Sequence, residues 1–211
     1  MKYIPYSHQS IDRRDIEAVV RVLKSDWLTQ GPKVEEFEKA LAKYAGSRFA
    51  VSFSSGTAAM QAAYFAAGIK KGDEVITTPL TFAATANAAI WQGAKVVFAD
   101  IEEETGNLDP VEVEKKITKR TKVIVPVDYA GFPAKLDEFK KIAERHGLIL
   151  IEDAAHALGA SYKGRRVGSI ADMTMLSFHP VKSITTGEGG AITTNQKDFY
   201  ERLLIFRNHG I

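Results

Sequence analysis

Leu148-Ile149-Leu150-Ile151-Glu152-Asp153-Ala154-Ala155-His156 decides the fold of this 211-residue chain. Its apolar start, Leu148 to Ile151, has no polar alternation, so it reads as a strand covered on both faces, with carboxylates at its end. Just upstream, Leu136 to His146 carries a helical pattern, and Lys122 to Val127 is another apolar strand. Working back toward the N-terminus, the same alternation repeats. Pro110 to Ile117 reads as a helix, Ala94 to Ala99 as a strand, Phe82 to Trp91 as a helix and Glu74 to Thr78 as a strand. Thr57 to Ala67 is an alanine-rich helix and Arg48 to Phe53 a strand. Gly31-Pro32 opens a helix with Phe37, Leu41 and Tyr44 on its inner face, and Gly46 stops it. Ile11 to Ser25 reads as an amphipathic helix with Ile16, Val19, Val20 and Leu23 on one side. Toward the C-terminus come a basic turn, Tyr162-Lys163-Gly164-Arg165-Arg166, strands at Met173 to Phe178 and Gly190 to Thr194, and a helix from Lys197 to Arg207. Strands alternating with helices imply an α/β fold: a three-layer αβα sandwich around a mostly parallel, mixed sheet.

Composition narrows the function. The 28 basic and 26 acidic residues leave a net charge of +2, which offers no clustered excess for nucleic acid. With no cysteine, disulfides, thiol catalysis and cysteine-held zinc are excluded. The histidines have no metal-ligand spacing, so no metal site is expected. No apolar run has the length of a signal peptide or a membrane span, and a cytoplasmic protein is the default expectation.

Chemistry concentrates in a few strings. Ser177-Phe178-His179-Pro180-Val181-Lys182-Ser183, followed by Thr186-Gly187-Glu188-Gly189-Gly190, delivers one amine into a turn at the end of an apolar strand. The apolar approach, Pro180 and the Gly-rich exit fix that amine and partly desolvate it, which lowers its pKa. Most lysines in loops are merely solvated. Asp153 ends the buried strand, where ligands bind in open α/β sheets; a cap on the following turn would serve equally well. Ser55-Gly56-Thr57-Ala58 lies between a strand and a helix, where free N–H groups attract phosphate and where plain capping is also common. Phe82 could stack on a planar ring or be core. His156 could position a ring oxygen or Asp153, or be a satisfied buried histidine. A lysine able to form an imine and a carboxylate able to keep a ring nitrogen protonated are the essentials of pyridoxal phosphate chemistry.

Together these strings resemble the sugar aminotransferases of the DegT/DnrJ/EryC1/StrS family, which have the fold type I architecture of pyridoxal phosphate (PLP)-dependent transferases. The resemblance runs from Tyr3-Ile4-Pro5-Tyr6 through Trp27-Leu28-Thr29-Gln30-Gly31-Pro32 to Phe206-Arg207-Asn208-His209-Gly210. It is most specific at Ser55 to Ala59, Glu152 to Ala157 and Ser177 to Ser183 with Gly187 to Gly190. The lysine string is most similar to the branch making UDP-4-amino-4,6-dideoxy-N-acetyl-β-L-altrosamine, a pseudaminic acid precursor. The resemblance implies that Lys182 takes the cofactor aldehyde and that Asp153 pairs with the pyridine nitrogen. It implies that Gly56, Thr57, Ala58 and Ser177 meet the phosphate, that Phe82 stacks on the ring, and that His156 lies near the cofactor oxygen. Thr29, Gln30 and Glu188 are implied to border a nucleotide-sugar substrate, with an amino acid, glutamate in this family, as donor. It further implies a homodimer. By the same resemblance, residues 1–211 are expected to correspond to most of the large PLP-binding domain, with the small C-terminal domain expected to be absent from this chain.

Rival readings have distinct signatures. Sugar dehydratases of the same family replace the Schiff-base lysine, usually by histidine, whereas position 182 is lysine. A catalytically incomplete fragment would keep the fold without turnover. A dinucleotide-binding protein needs a G-x-G-x-x-G turn, which Ser54-Ser55-Gly56-Thr57 does not supply.

Overall fold

Residues 3–5 and 7–210 are described by the structure, a computed structural model; Met1, Lys2, Ile211 and Tyr6, the last residue of the opening string, lie outside the described residues. A seven-stranded sheet is built from β1 (Phe49–Phe53), β2 (Glu74–Thr77), β3 (Lys95–Phe98), β4 (Thr121–Val125), β5 (Ile149–Asp153), β8 (Met173–Ser177) and β9 (Gly190–Thr194). The spatial order is β1-β9-β8-β5-β4-β2-β3. Only β9 runs against its neighbours; the other pairings in this sheet are parallel. The remaining strands, β6 (Ser161–Tyr162) and β7 (Arg165–Arg166), form a separate hairpin over the basic turn.

The lack of polar alternation in these strands has a direct structural cause. Successive residues point to opposite faces, and both faces are covered. Val75, Val123, Val125, Ile151, Met173 and Met175 pack on one side with α3 (Gly56–Ala66), α4 (Ala84–Trp91) and α7 (Lys197–Arg207). Ile76, Ile124, Leu150 and Leu176 point the other way, toward α2 (Pro32–Ala45), α5 (Pro110–Lys116) and α6 (Leu136–His146). The result is the three-layer sandwich. Alanine makes α3 thin enough to pack closely on the sheet: Ala59, Ala62, Ala63 and Ala66 are wholly buried.

Two differences from the sequence reading have physical reasons. Tyr44 does not sit inside with Leu41; it is half exposed, and the Arg166 guanidinium lies 5.0 Å from its ring centroid. The β6–β7 hairpin supplies that cation. It is also tied to α6, because Lys163 and Tyr162 both bond the Asp137 carboxylate and hold its pKa down at about 2. The first helix, α1 (Arg13–Leu23), is well formed, with a reciprocal Asp12–Asp15 capping box. Yet Ile16, Val19, Val20 and Leu23 all stay exposed, because no described element packs on that stripe.

β1, β2, β4, β5 and β8 all run the same way, so their C-terminal ends share one edge of the sheet, and the order of strands switches sides at β2, which has β3 on one flank and β4 on the other. That edge is closed by a tight contact. Gly190 pairs with both Phe53 and Ser177. A Cβ there would stand 2.4 Å from Ser55 O and 2.5 Å from Gly56 N, both backbone atoms that cannot swing away.

Gly190→Ala should therefore destabilise the chain by about 1–3 kcal/mol through overpacking. Equilibrium urea unfolding measures it; an unchanged midpoint would refute the close approach. A second prediction concerns Glu74, which is only 1% exposed at the start of β2. Its carboxylate accepts from Thr118 Oγ1 at 2.6 Å and Arg120 Nη2 at 2.8 Å. The Thr118 hydroxyl first, then Arg120, hold its pKa below the usual glutamate range. The stabilisation is complete above the unfolded value of about 4.3 and disappears as pH falls through the lower folded value. Glu74→Gln should cost about 1.5–3 kcal/mol at neutral pH and flatten the acid limb of a Tm-versus-pH curve. Parallel acid limbs for the two proteins would contradict it.

Candidate active site

β1, β2, β5 and β8, which end on the shared edge, each deliver one piece of the site. After β1, the chain turns at Ser55 into α3. Ser55 Oγ caps the helix by accepting from Ala58 N at 3.1 Å, so the capping reading of the string holds. The N–H groups of Gly56 and Thr57 lie in the first turn, where a helix has no acceptor of its own for them. Gly56 is buried against β8: a Cβ there would lie 3.0 Å from Ser177 Cβ and 3.2 Å from Ser177 Oγ. The first turn of α3 and Ser177 thus form one narrow cradle of N–H and hydroxyl groups, suited in chemistry to an anion.

After β2 comes Thr81, then Phe82, which is 76% exposed. The alternative that Phe82 is core is thereby corrected. Thr85, in α4, is buried and donates to Asp153 Oδ2 at 2.6 Å. Thr85 has a single hydroxyl proton, so its 2.8 Å contact with Thr81 Oγ1 must have Thr81 as donor. A relay of two hydroxyls therefore ends on Asp153. Tyr64, wholly buried, donates to the Thr85 carbonyl at 2.7 Å and fixes the start of α4.

Asp153, at the end of β5, is 4% exposed. Burial raises its pKa; the Thr85 hydroxyl, the Ala155 N–H and the Lys182 charge oppose the shift in that order. A buried carboxyl in this state gains from a cation or a strong donor placed beside it. Lys182, after β8, supplies charge to Asp153, while its Nζ lies 2.6 Å from His156 Nε2. The turn that holds it is closed by Lys182 N to His179 O at 2.9 Å, with Pro180 following His179. Burial lowers the Lys182 pKa, and Asp153 works against that shift. Burial and then the Lys182 charge lower the pKa of His156, keeping its ring neutral and able to accept. His156 therefore meets the lysine and not Asp153.

The three residues read as substrate contacts lie apart from this floor. Gln30, with Trp27, Leu28, Phe37, Phe178 and Glu188, lines a cleft of about 590 Å³. Thr29 is exposed in the same loop but does not line the cleft. Lys182, His156 and Asp153 do not line it either, although Phe178, Gly189 and Gly190 of the lysine-bearing segment do.

Thr85 was not singled out in the sequence. Its signal is a lone buried polar residue inside the small-residue run Ala83-Ala84-Thr85-Ala86. Thr85→Val keeps the shape and removes the donor, leaving a buried oxygen unsatisfied. A loss of about 1–3 kcal/mol is expected, measured by denaturant unfolding at neutral pH; a neutral effect would remove the Thr85–Asp153 bond from the account.

Comparison with known proteins agrees with this geometry. Residues 9–211 match the DegT/DnrJ/EryC1/StrS aminotransferase family. A UDP-4-amino-4,6-dideoxy-N-acetyl-β-L-altrosamine transaminase of Campylobacter jejuni is 48% identical over 211 residues, covering 99% of this chain and 56% of its own length. Helicobacter pylori PseC, an aminotransferase involved in pseudaminic acid biosynthesis, superposes with a TM-score of 0.94 at 40% identity, over 99% of this chain and 57% of that one. Spr1654 of Streptococcus pneumoniae, solved in its PLP-form, gives a TM-score of 0.92 at 35% identity, over 96% of this chain and 57% of that one. The chain spans about half the length of the curated relatives it matches. With more than nine-tenths of its residues inside the match, it belongs to the DegT/DnrJ/EryC1/StrS aminotransferase family.

Proposed function

We propose that this chain is the cofactor-binding part of a PLP-dependent aminotransferase acting on a nucleotide-linked 4-keto-6-deoxy sugar. The amino donor in this reading is an amino acid, glutamate, and the product feeds surface-sugar synthesis such as that of pseudaminic acid. The enzyme would work as a cytoplasmic homodimer. No helix among the described residues is long and apolar enough to cross a membrane. One observation carries the reading: an amine of lowered pKa and a buried carboxyl act on each other across the same strand edge, beside an anion cradle.

The residues present fit the cofactor. Gly56, Thr57 and Ser177 would hold its phosphate, with Ala58 completing the turn; Phe82 offers its exposed ring for stacking. PLP, when bound, supplies an aldehyde for amines to condense with and a protonated ring that withdraws electrons from the adjacent carbon. Asp153 Oδ1 and Oδ2 would keep the ring nitrogen protonated, and the Thr85 hydroxyl orients that carboxylate. Lys182 Nζ would hold the aldehyde carbon at rest. When not holding the aldehyde, the same amine would be free to carry a proton, as base and then acid. Its lowered pKa suits this task, because a larger fraction is free amine at neutral pH. His156 Nε2 accepts a hydrogen bond from Nζ and would aim it between these two uses. Thr29, Gln30 and Glu188 would border the sugar.

The purified chain with added PLP should develop the visible band of a lysine imine. Lys182→Ala should lose that band yet still bind cofactor, and its transamination should fall by about 10²–10⁴-fold. Asp153→Ala should keep the cofactor bound and nearly inert. Full turnover in either variant, measured by coupled assay on a nucleotide-linked 4-keto sugar, would overturn the assignment of that residue. Gel filtration of the same samples reads the dimer.

A further inference from the structure

Two side-chain oxygens are buried with no hydrogen-bonding partner: Asp128 Oδ2 and Glu152 Oε1. Both residues are essentially inaccessible, at 1% and 0% exposure. They sit on neighbouring strand ends, Asp128 three residues past β4 and Glu152 as the penultimate residue of β5. Each carboxyl lies within hydrogen-bonding reach of the other. Two buried carboxylates cannot face one another bare, because neither has a proton to donate and their charges repel. One proton between them satisfies both orphan oxygens at once.

The surroundings say which side keeps it. Glu152 Oε2 accepts from Thr174 Oγ1 at 2.7 Å, and the Gly168 N–H also serves the Glu152 carboxylate. Asp128 Oδ1 has one donor, the Ala134 N–H, at 2.9 Å. More donors favour the charged form at Glu152. The remaining charged group facing the pair is Asp153, whose negative charge acts on both members; Lys182 and Tyr64 in turn face Asp153. We infer that Asp128 is a neutral acid whose Oδ2–H donates to Oε1 of an ionised Glu152, and that this buried bond is a positioning device for Asp153. Burial raises the pKa of both carboxyls; the Glu152 charge adds to the rise at Asp128 and carries it well above the ordinary range, while the Thr174 hydroxyl opposes the rise at Glu152.

The link to Asp153 is short. Asp128 N donates to Asp153 O at 3.0 Å, Asp153 N donates to Pro126 O at 2.9 Å, and Glu152 is the preceding residue. A bond between Asp128 and Glu152 therefore ties the two strand ends from the side-chain direction, where the backbone already ties them at Asp153. It also keeps one negative charge, instead of two, next to the carboxylate that has to face a cationic ring. This part rests on the proposed cofactor role of Asp153; the location of the proton does not.

Infrared spectroscopy of the chain at neutral pH decides the proton. A carboxylic-acid C=O stretch that moves in heavy water should be present. It should shift when aspartate carboxyl carbons are isotope-labelled and stay when glutamate carboxyls are. It should vanish in Asp128→Asn and persist in Asp153→Asn. Absence of the band, a shift with the glutamate label alone, or its survival in Asp128→Asn overturns the inference. The labels act on the wild-type chain, so no variant of the pair has to fold for them to decide which residue type holds the proton. PLP titration followed by absorbance reads the positioning role. Asp128→Asn, whose amide replaces the acid as donor, should bind within a few-fold of wild type. Asp128→Ala, which leaves Glu152 Oε1 without a donor, should bind on the order of tenfold more weakly. Equal affinity in the Asn and Ala variants overturns the positioning role. A wild-type chain that takes up no PLP sinks the proposed function instead, and the infrared result still stands on its own.

Discussion

A carboxyl group kept out of water at the end of β5 is the constraint on which the site is organised. Charge at that depth is costly unless donors or a cation attend it. Asp153 has a hydroxyl relay from Thr81 through Thr85, a backbone N–H from Ala155 and the distant charge of Lys182. Each comes from a different element, so the carboxyl is positioned only when β2, α4, β5 and β8 are assembled together. Burial still prevails and leaves the group ready for one more positive partner.

The sheet topology explains why those elements can converge. Parallel strands bring their C-terminal ends to the same edge, and the connections lead away from β2 to opposite flanks, β3 on one side and β4 on the other, which opens a crevice there. β9 is the exception, and it is useful as one. By running antiparallel between β1 and β8, it returns the chain from the Lys182 turn directly into the sheet. Gly190 makes that return possible, since the strand starts in backbone contact with the first turn of α3.

The fold was legible in the sequence because its strands and helices carry different periods. α6, β9 and α7 coincide with their sequence-read spans, and the other helices and the strands of the large sheet shift by only a few residues at their ends, whereas the sequence reads β6 and β7 only as a basic turn. The main components of the site were legible as types of residue at strand ends: Lys182, Asp153, Ser55-Gly56-Thr57. What sequence could not express was contact. His156 meets Lys182 and not Asp153, which depends on the turn after β5. Thr85 looked like one more small residue in an alanine-rich helix until burial placed it on Asp153. Asp128 had the same signature as Asp153, an acid following a run of buried valines and isoleucines. It passed unnoticed because its partner, Glu152, is distant in the chain. The exposed stripe on α1 marks the opposite limit, since amphipathic spacing identifies a helix and is silent about what lies against it.

The connection between β8 and β9 is pinned at its base, by Phe178 N to Gly189 O and Thr186 N to Phe178 O. Everything between those pins hangs from the sheet as a closed loop whose entrance and exit are fixed. Its interior can therefore be rewritten, lengthened or given new side chains without disturbing strand register. A scaffold of this kind lets the sequence of the loop drift through evolution while β8 and β9 keep their pairing.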